Sequence, residues 1–266
     1  MKNNPALYVV GDSTLSSFDD NEYFYPRYGY GTQLEHFFDE GKIKIINLAL
    51  SGRSSKSFIE EDNYSFLKDN IKKGDFLLIG FGHNDEKFVD KSRFTSANLS
   101  SDNKNSFKFY LNEYYINLAN NIGAIPILCT PIVRLSTNNL YVGNVVHKTP
   151  NGDYKKAIIE LAKETNTYVI DLTTETKKLY ENIGYENALF YHAVLEGELL
   201  NGVVVLDDKS LDKTHLNIFG ARTIAYLFSR IILNSDNPLR EYLNEKIRKP
   251  LKQEVLKVND KYKLKQ

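Results

Sequence analysis

The chain has one cysteine, one methionine and no tryptophan among its 266 residues. A single cysteine excludes an internal disulfide framework, so the fold must depend on an apolar core. The hydrophobic content of 42% is ample for such a core. Cys129 lies in an apolar run, and we expect a buried strand residue there rather than a nucleophile.

Neither sign of charge is in excess. Lys and Arg total 34, Asp and Glu total 34, and the formal net charge is zero. Binding to nucleic acid or to an anionic membrane surface usually requires a basic excess, so neither is expected as a partner. No apolar run approaches the roughly 18 residues that a membrane-spanning helix needs. We therefore expect a soluble protein whose partner is a small molecule or an uncharged polymer.

The N-terminal sequence MKNNPALYVVGDS reaches an apolar run within a few residues. It has no long apolar segment that ends in a small-residue cleavage site, which is typical of a cytoplasmic protein. A secreted protein whose signal peptide has been replaced by Met has the same pattern, so secretion stays the alternative. The sequence does not indicate an oligomeric state.

Short β-rich runs alternate with longer amphipathic runs along most of the chain. The β-rich runs predict strands over residues 6–10, 44–48, 75–79, 126–129 and 168–170. Helical spacing predicts helices over residues 30–39, 106–121, 153–165, 173–182 and 218–232, the last capped by Asn217. Such alternation is typical of a parallel sheet covered on both faces. The expected fold is α/β, a three-layer α/β/α sandwich around a central, mainly parallel five-stranded sheet.

The composition changes after Pro238, where the chain becomes strongly charged and ends in a Lys-rich run. We expect one domain over residues 1–237. Residues 238–266 are then a charged C-terminal helix and tail rather than a separate domain. The pattern does not indicate what the long loop over residues 184–210 does.

An Asp–His pair and a serine turn stand at opposite ends of this domain. Asp212 precedes His215 by three residues, just before the last predicted helix, so one loop can hold the carboxylate against the imidazole. Ser13 follows the first strand in the turn Gly11-Asp12-Ser13, where its hydroxyl can be exposed. Such a turn alone is more often an ordinary turn or helix cap. Together with an Asp–His pair, it can supply the nucleophile of a hydrolytic triad.

Two further loops follow the second and third strands. Gly52 has no Cβ, so its backbone N–H can approach a ligand and stabilise an oxyanion, although a plain turn glycine is the alternative. Asn84, in the run Gly80-Phe81-Gly82-His83-Asn84-Asp85, can aim its amide at developing negative charge or can form a turn. Loops at the carboxyl ends of parallel strands converge on one ligand site.

In chain order, GDS at 11–13, a glycine in the second loop, GHND at 82–85 and DKTH at 212–215 resemble the four signature blocks of the SGNH or GDSL hydrolase superfamily. The resemblance covers about residues 6–235. It implies a flavodoxin-like fold with Ser13 as nucleophile, His215 as general base and Asp212 as the carboxylate that orients it. It also implies an oxyanion hole built from the Ser13 and Gly52 N–H groups and the Asn84 side chain.

Longer strings narrow the resemblance. GDSTLSS at 11–17, SGRS at 51–54, FGHNDEK at 81–87 and TPNGDY at 149–154 resemble rhamnogalacturonan acetylesterases and their bacterial relatives. This implies a serine esterase that deacetylates a pectin-derived oligosaccharide through an acyl-enzyme. The alternatives are a lipase or thioesterase with a longer apolar acyl groove and a non-catalytic carbohydrate-binding protein. Tyr30 stands where many relatives carry Trp, which leaves the sugar open.

Candidate substrate contacts include Tyr25 and Tyr28, whose rings could stack on sugars or could pack the following helix. Arg53 could pair with a uronic acid carboxylate, or it could form a structural salt bridge.

The other histidines also have either a substrate-binding or a structural interpretation. His83 is expected to line the pocket or to hold its loop, and His147 and His192 stand in long loops that could approach substrate. No His, Cys or carboxylate set has metal-ligand spacing, and there is no phosphate-binding loop. Neither a metal nor another cofactor is expected.

Overall fold

The computed structural model describes residues 4–19, 22–200, 203–206 and 211–250. The strands in these ranges are β1 (Ala6–Gly11), β2 (Lys44–Asn47), β3 (Phe76–Gly80), β4 (Ile125–Cys129), β5 (Lys148–Thr149), β6 (Gly152–Asp153), β7 (Tyr168–Ile170), β8 (His192–Val194), β9 (Gly197–Leu200), β10 (Val203–Leu206) and β11 (Leu211–Leu216). The α-helices are α1 (Asp62–Asn70), α2 (Phe107–Leu111), α3 (Asn117–Ile122), α4 (Tyr154–Thr165), α5 (Leu172–Ile183), α6 (Tyr185–Ala188) and α7 (Ile218–Leu233). Short 3₁₀ helices span Tyr30–Phe37, Ser57–Glu60, Gly143–Val146, Leu189–Tyr191, Pro238–Tyr242 and Glu245–Arg248.

Five strands form one parallel sheet in the order β2-β1-β3-β4-β7. Strand β1 lies between β2 and β3, with Val9 beside Asn47 of β2 and Gly11 beside Gly80 of β3. All five predicted strands are present, with bounds that differ by at most one residue at each end. The predicted α/β fold with a five-stranded parallel sheet is therefore confirmed.

The two faces of the sheet build separate cores. Leu7 and Val9 of β1 pack with the 3₁₀ helix Tyr30–Phe37 and with α7, whereas Tyr8 and Val10 pack with the layer made by α1, α2, α3 and α4. Side chains alternate between the faces of a strand, so β1 serves both layers. Because both faces are covered, β1 is buried along its whole length and its end is rigidly placed.

The helix predicted over residues 30–39 is a 3₁₀ helix, Tyr30–Phe37. Its start is hydrogen-bonded to the turn after β1, since the Tyr30 N–H donates to the Thr14 carbonyl at 2.8 Å. Gly31 packs so closely there that an added Cβ would lie 2.4 Å from the Leu15 carbonyl oxygen. The helix is thus fastened to the loop that carries Ser13.

The helix predicted over residues 106–121 is a continuous helical run from Phe107 to Ile122. A π-helical turn over Asn112–Ile116 joins α2 to α3. This turn places the consecutive residues Tyr115 and Ile116 both in the core, which a regular helix face does not favour.

Helix α7 begins after Asn217, as predicted, and the Asn217 side chain accepts hydrogen bonds from two N–H groups of the first turn. Beyond it, Leu239 and Ile247 are buried in the core on the α7 side of the sheet. Residues 251–266 of the predicted tail lie outside the described residues, and the division at residue 237 stays a prediction. In the part of the chain that the structure describes, no helix is both long and apolar enough to cross a membrane.

Candidate active site

Ser13 lies in a tight turn at the carboxyl end of β1. The Asp12 carboxylate accepts hydrogen bonds from the Thr14 N–H at 2.9 Å and from the Thr14 hydroxyl at 2.8 Å, which closes the turn around Ser13. Gly11 is required because a Cβ there would lie 2.5 Å from the Gly80 carbonyl oxygen. The turn therefore holds the Ser13 hydroxyl at the edge of the sheet.

The Asp–His pair lies beside this hydroxyl. His215 Nε2 is 2.9 Å from Ser13 Oγ, and His215 Nδ1 is 2.6 Å from Asp212 Oδ2. With Nδ1–H donated to the carboxylate, Nε2 is free to accept the serine proton. The structure thus brings Ser13, His215 and Asp212 into one hydrogen-bonded line.

Asp212 remains ionised at neutral pH. Burial acts to raise the pKa of Asp212, but hydrogen bonds and charge from His215, together with the Thr214 N–H, outweigh burial and lower the pKa to about 2. The His215 and Thr214 N–H groups each donate to Asp212 Oδ1 at 2.9 Å. The carboxylate is therefore fixed in orientation and available to stabilise a positive imidazole.

The Asp212–His215 segment was expected on a loop, and it lies instead within β11. This strand pairs with β8 in an antiparallel ladder, and the register is broken between Leu211 and Leu216. Asp212 and His215 both lie in this irregular part of the strand, where their side chains meet.

His192 on β8 supports this ladder through hydrogen bonds of its imidazole. Its Nδ1 lies 2.9 Å from the Asp212 carbonyl oxygen and its Nε2 lies 2.9 Å from the Tyr180 hydroxyl. Burial lowers the pKa of His192 to about 4, so the imidazole is neutral at pH 7. The expectation that His192 could approach substrate is wrong, because this side chain is fully buried.

Gly52 and Asn84 lie in the loops that follow β2 and β3. Gly52 has a left-handed φ of +77°, and its carbonyl accepts a hydrogen bond from Arg93 at 3.2 Å. The Asn84 amide donates to the Arg53 carbonyl at 3.1 Å, which leaves its second N–H available. Within the described ranges, the N–H groups of Ser13 and Gly52 have no hydrogen-bond acceptor. Three donors are thus available at one edge of the sheet.

These groups line a single pocket of about 340 Å³. Polar and charged side chains and one glycine make up its lining: Ser13, Ser51, Gly52, His83, Asn84, Lys87, Arg134, Thr214 and His215. No carboxylate and no large apolar side chain belongs to this set. The pocket can therefore offer hydrogen bonds to a polar ligand from several sides.

Three of the four candidate substrate contacts lie elsewhere. Arg53 forms an ion pair with Glu61, as in the structural alternative, and does not line the pocket. The Tyr25 N–H donates to the Val194 carbonyl at 2.9 Å, and the Tyr28 N–H donates to the Leu216 carbonyl at 2.7 Å. This segment braces β8 and β11, and neither tyrosine lines the pocket.

His83 does line the pocket, and it belongs to a buried polar group behind Ser13. His83 Nδ1 lies 3.5 Å from Asp12 Oδ2, which is longer than a strong hydrogen bond. Burial and the neighbouring His147 lower the pKa of His83 to about 4. For Asp12, burial is outweighed by the His83 imidazole and by hydrogen bonds from Thr14, which lower its pKa. His83 is therefore neutral and Asp12 ionised at pH 7.

The sequence patterns missed the residues that complete this group. His147 was named only as a loop residue that could approach substrate, and it is buried with Nε2 2.7 Å from the Ile132 carbonyl oxygen. Its Nδ1 lies 3.3 Å from both Glu86 and Arg134, which form an ion pair with each other. The acidic pair Asp85-Glu86 was the available signal, since carboxylates that follow a buried strand and become buried themselves must find partners.

Cys129 is fully buried in β4, as expected, and burial raises the pKa of its thiol to about 12. A thiol in this state is not a nucleophile at neutral pH. Among the described residues, no group of three His, Cys, Asp or Glu side chains could hold a metal ion.

Comparisons with known proteins show which family the chain resembles. The GDSL-like Lipase/Acylhydrolase family model matches residues 7–228. Two Bacillus subtilis proteins, probable rhamnogalacturonan acetylesterase YesY and rhamnogalacturonan acetylesterase RhgT, are each 31% identical to the chain. The matches cover 88% of this chain and 95% of YesY, and 91% of this chain and 96% of RhgT.

Solved structures show the same fold. The Bacillus subtilis protein YxiM superposes with a TM-score of 0.65 at 25% identity, over 87% of this chain and 57% of YxiM. Axe2, an acetylxylan esterase from Geobacillus stearothermophilus, superposes with a TM-score of 0.54 at 15% identity, over 86% of this chain and 95% of Axe2. Given the match to most of its length, the chain belongs to the GDSL-like lipase/acylhydrolase family and is a carboxylic ester hydrolase.

Proposed function

We propose that this protein is a serine esterase that removes acetyl groups from carbohydrate, with rhamnogalacturonan oligosaccharides as its substrates. The observation that carries the proposal is the line from Asp212 through His215 to Ser13 at the edge of a polar pocket. The two relatives named rhamnogalacturonan acetylesterases, which match nearly their whole length, support the substrate class.

The proposed reaction begins when Ser13 Oγ attacks the acetyl carbonyl carbon and its proton passes to His215 Nε2. The bond between the acetyl carbon and the sugar oxygen then breaks, and His215 returns the proton to the leaving sugar oxygen. Water gives a proton to His215 and attacks the acyl-enzyme. Acetate leaves and Ser13 regains its proton. Asp212, with its pKa near 2, stays ionised and stabilises the imidazolium.

The tetrahedral intermediate carries a negative oxygen that needs donors already in place. We assign this role to the Ser13 N–H, the Gly52 N–H and the free N–H of Asn84, which surround the same pocket. In comparable sites, loss of one such donor costs about 3–4 kcal/mol of transition-state stabilisation. Asn84 is buried and held by the Arg53 carbonyl, so its amide does not have to reorganise during the reaction.

The pocket also favours a short acyl chain. A long acyl group needs an extended groove of large apolar side chains, and none of these lines the pocket in the described part of the chain. We expect hydrolysis of 4-nitrophenyl acetate to exceed that of 4-nitrophenyl octanoate, and the reverse order would favour a lipase instead. The cytoplasmic location stays a prediction, and it makes imported oligosaccharides rather than intact polymer the natural substrates.

The test is Ser13→Ala, which removes the proposed nucleophile. We expect this variant to release no measurable acetate from acetylated rhamnogalacturonan oligosaccharides and to escape labelling by an organophosphonate. Ser17→Ala is the matched control, because Ser17 is exposed, lies four residues further along and does not line the pocket. Retained acetate release by folded Ser13→Ala protein would rule out the mechanism.

A further inference from the structure

Lys87 lines the active-site pocket and has no acidic partner. Within the described part of the chain, no ion pair or hydrogen bond involves its ammonium group. The arginines around it are committed: Arg134 is paired with Glu86, and Arg93 is 2.5 Å from Asp90. Lys87 is therefore an exposed cation at the pocket whose ammonium group has no direct partner among the described residues.

The surroundings of Lys87 make an anionic ligand favourable. No carboxylate belongs to the described pocket lining, and Asp212 is committed to His215. Partial burial lowers the pKa of Lys87, and the nearby Arg93 and Arg134 lower it further, which outweighs the opposite effect of Asp12 and Asp90. Burial and like charges thus outweigh the nearby carboxylates in disfavouring the Lys87 cation, and an anion bound directly to the ammonium group relieves that cost.

The backbone of Lys87 is held close to the proposed oxyanion hole. The Lys87 N–H donates to the Asn84 carbonyl at 3.2 Å, so one turn carries both the amide and the lysine. Asp85, between them, is fully buried and accepts hydrogen bonds from Ser55 and Thr95. An anion bound by Lys87 must then lie near the reacting acetyl group, on the same sugar or on a neighbouring one.

We propose that Lys87 binds the carboxylate of a uronic acid residue, so that the enzyme selects acetyl esters on oligosaccharides that contain uronic acid. This role was first considered for Arg53, which the structure pairs with Glu61 outside the pocket. The inference rests on the proposed function, because it assigns the sugar specificity of the same site. Neutral acetylated sugars are substrates too, but they lack the added attraction.

The test compares two substrates and two lysines. One substrate is an acetylated oligosaccharide that contains galacturonic acid, and the other is the same oligosaccharide with the carboxyl reduced to a primary alcohol. Lys87→Met removes the charge while keeping the chain length. Lys91→Met is the matched control, because Lys91 is on the same loop, stacks on Phe88 at 4.0 Å and does not line the pocket.

We expect the wild-type protein to prefer the carboxylate substrate about tenfold in kcat/KM, mainly through KM, as suits one partly exposed charged hydrogen bond. Lys87→Met should abolish that preference and Lys91→Met should keep it. Added salt should weaken the preference of the wild-type protein and leave Lys87→Met unaffected.

Two outcomes would overturn the inference, and they differ. If the wild-type protein releases acetate from both substrates but Lys87→Met keeps the preference, Lys87 does not bind the carboxylate and the proposed function stands. If the wild-type protein hydrolyses small acetyl esters but neither oligosaccharide, the carbohydrate function itself fails.

Discussion

Two Asp–His pairs lie near Ser13. They differ in burial and in whether the histidine contacts the Ser13 hydroxyl. Asp212 and His215 are 2.6 Å apart with side chains 23% and 20% exposed, and His215 contacts the serine hydroxyl. Asp12 and His83 are 3.5 Å apart with side chains 1% and 4% exposed. In the described structure, no hydrogen bond joins His83 to Ser13.

The difference shows that residue type alone does not make a general base. A base must be reached by the proton that it takes and must carry that proton for part of the cycle. His215 is partly solvated and has an ionised partner in direct contact, so its cation is tolerated. His83 is buried beside His147 and Arg134, which oppose a positive charge there. We therefore assign His83 to the pocket wall and not to proton transfer.

Replacing the two histidines should separate their roles most strongly. We expect His215→Ala to lower kcat/KM on 4-nitrophenyl acetate by about 10⁴-fold or more, because Ser13 loses its base. The loss of kcat/KM in His83→Gln should be at least about a hundredfold smaller than in His215→Ala, because this change removes no proton acceptor from the reaction. Equal losses in two variants with native circular dichroism would contradict the assignment.

Replacing the aspartates tests the comparison from the other side. Asp212→Asn should lower kcat by about 10³- to 10⁴-fold, because an amide in that position favours the wrong imidazole tautomer. Asp12→Asn should act mainly on the turn that its carboxylate closes with Thr14. Urea unfolding at pH 7.5 measures that part, and we expect a loss of about 1–3 kcal/mol for a buried charged hydrogen-bonding group. A larger loss of kcat in Asp12→Asn than in Asp212→Asn would contradict the assignment of Asp212 and His215 as the catalytic pair.

The smallest expected effect is in the pH dependence of stability. The pKa of His83 is about 4 in the folded protein against an ordinary value of 6.5. Between these values the unfolded chain binds a proton that folded His83 does not, so the wild-type protein loses stability as the pH falls from 6.5 to 4. His83→Gln should flatten this part of the curve by on the order of 2 kcal/mol.

Asp85 titrates in the same window with the opposite sign, because burial raises its pKa to about 7. Its contribution is common to both proteins and cancels in the difference. Asp212 acts lower, since its pKa of about 2 gives stability that is lost as the pH falls from about 4 towards 2. Denaturant unfolding of both proteins at several pH values provides the test, and parallel curves from pH 6.5 to 4 would show that His83 is not held neutral by burial.

Local sequence patterns predicted the strands and the helix start that depend on neighbouring residues in the chain. Strands such as β1 and β3 are short apolar runs bounded by turn residues, and Asn217 is a good helix cap in any context. The 3₁₀ character of Tyr30–Phe37 was missed, because it depends on hydrogen bonds to the turn at Thr14, which the helix sequence does not contain.

The candidate site divides in the same way. Ser13, Gly52, Asn84, Asp212 and His215 were named from their order and spacing, and the structure brings all five to one pocket or its edge. The support from His192 and the exposure of Lys87 in the pocket were not predicted. Both depend on which side chains fill the neighbouring positions, and those come from distant parts of the chain.

The sequence by itself determined the parallel α/β fold and the membership in this hydrolase family. Strand patterns and the four short sequence blocks can be identified without knowing which residues pack around them. The tertiary structure alone decided which cations line the pocket and which histidine can take a proton. Arg53 and Lys87 carry the same charge, as His83 and His215 share the same ring. Burial and the partner within a few ångströms set the chemistry of each, and the folded chain supplies both.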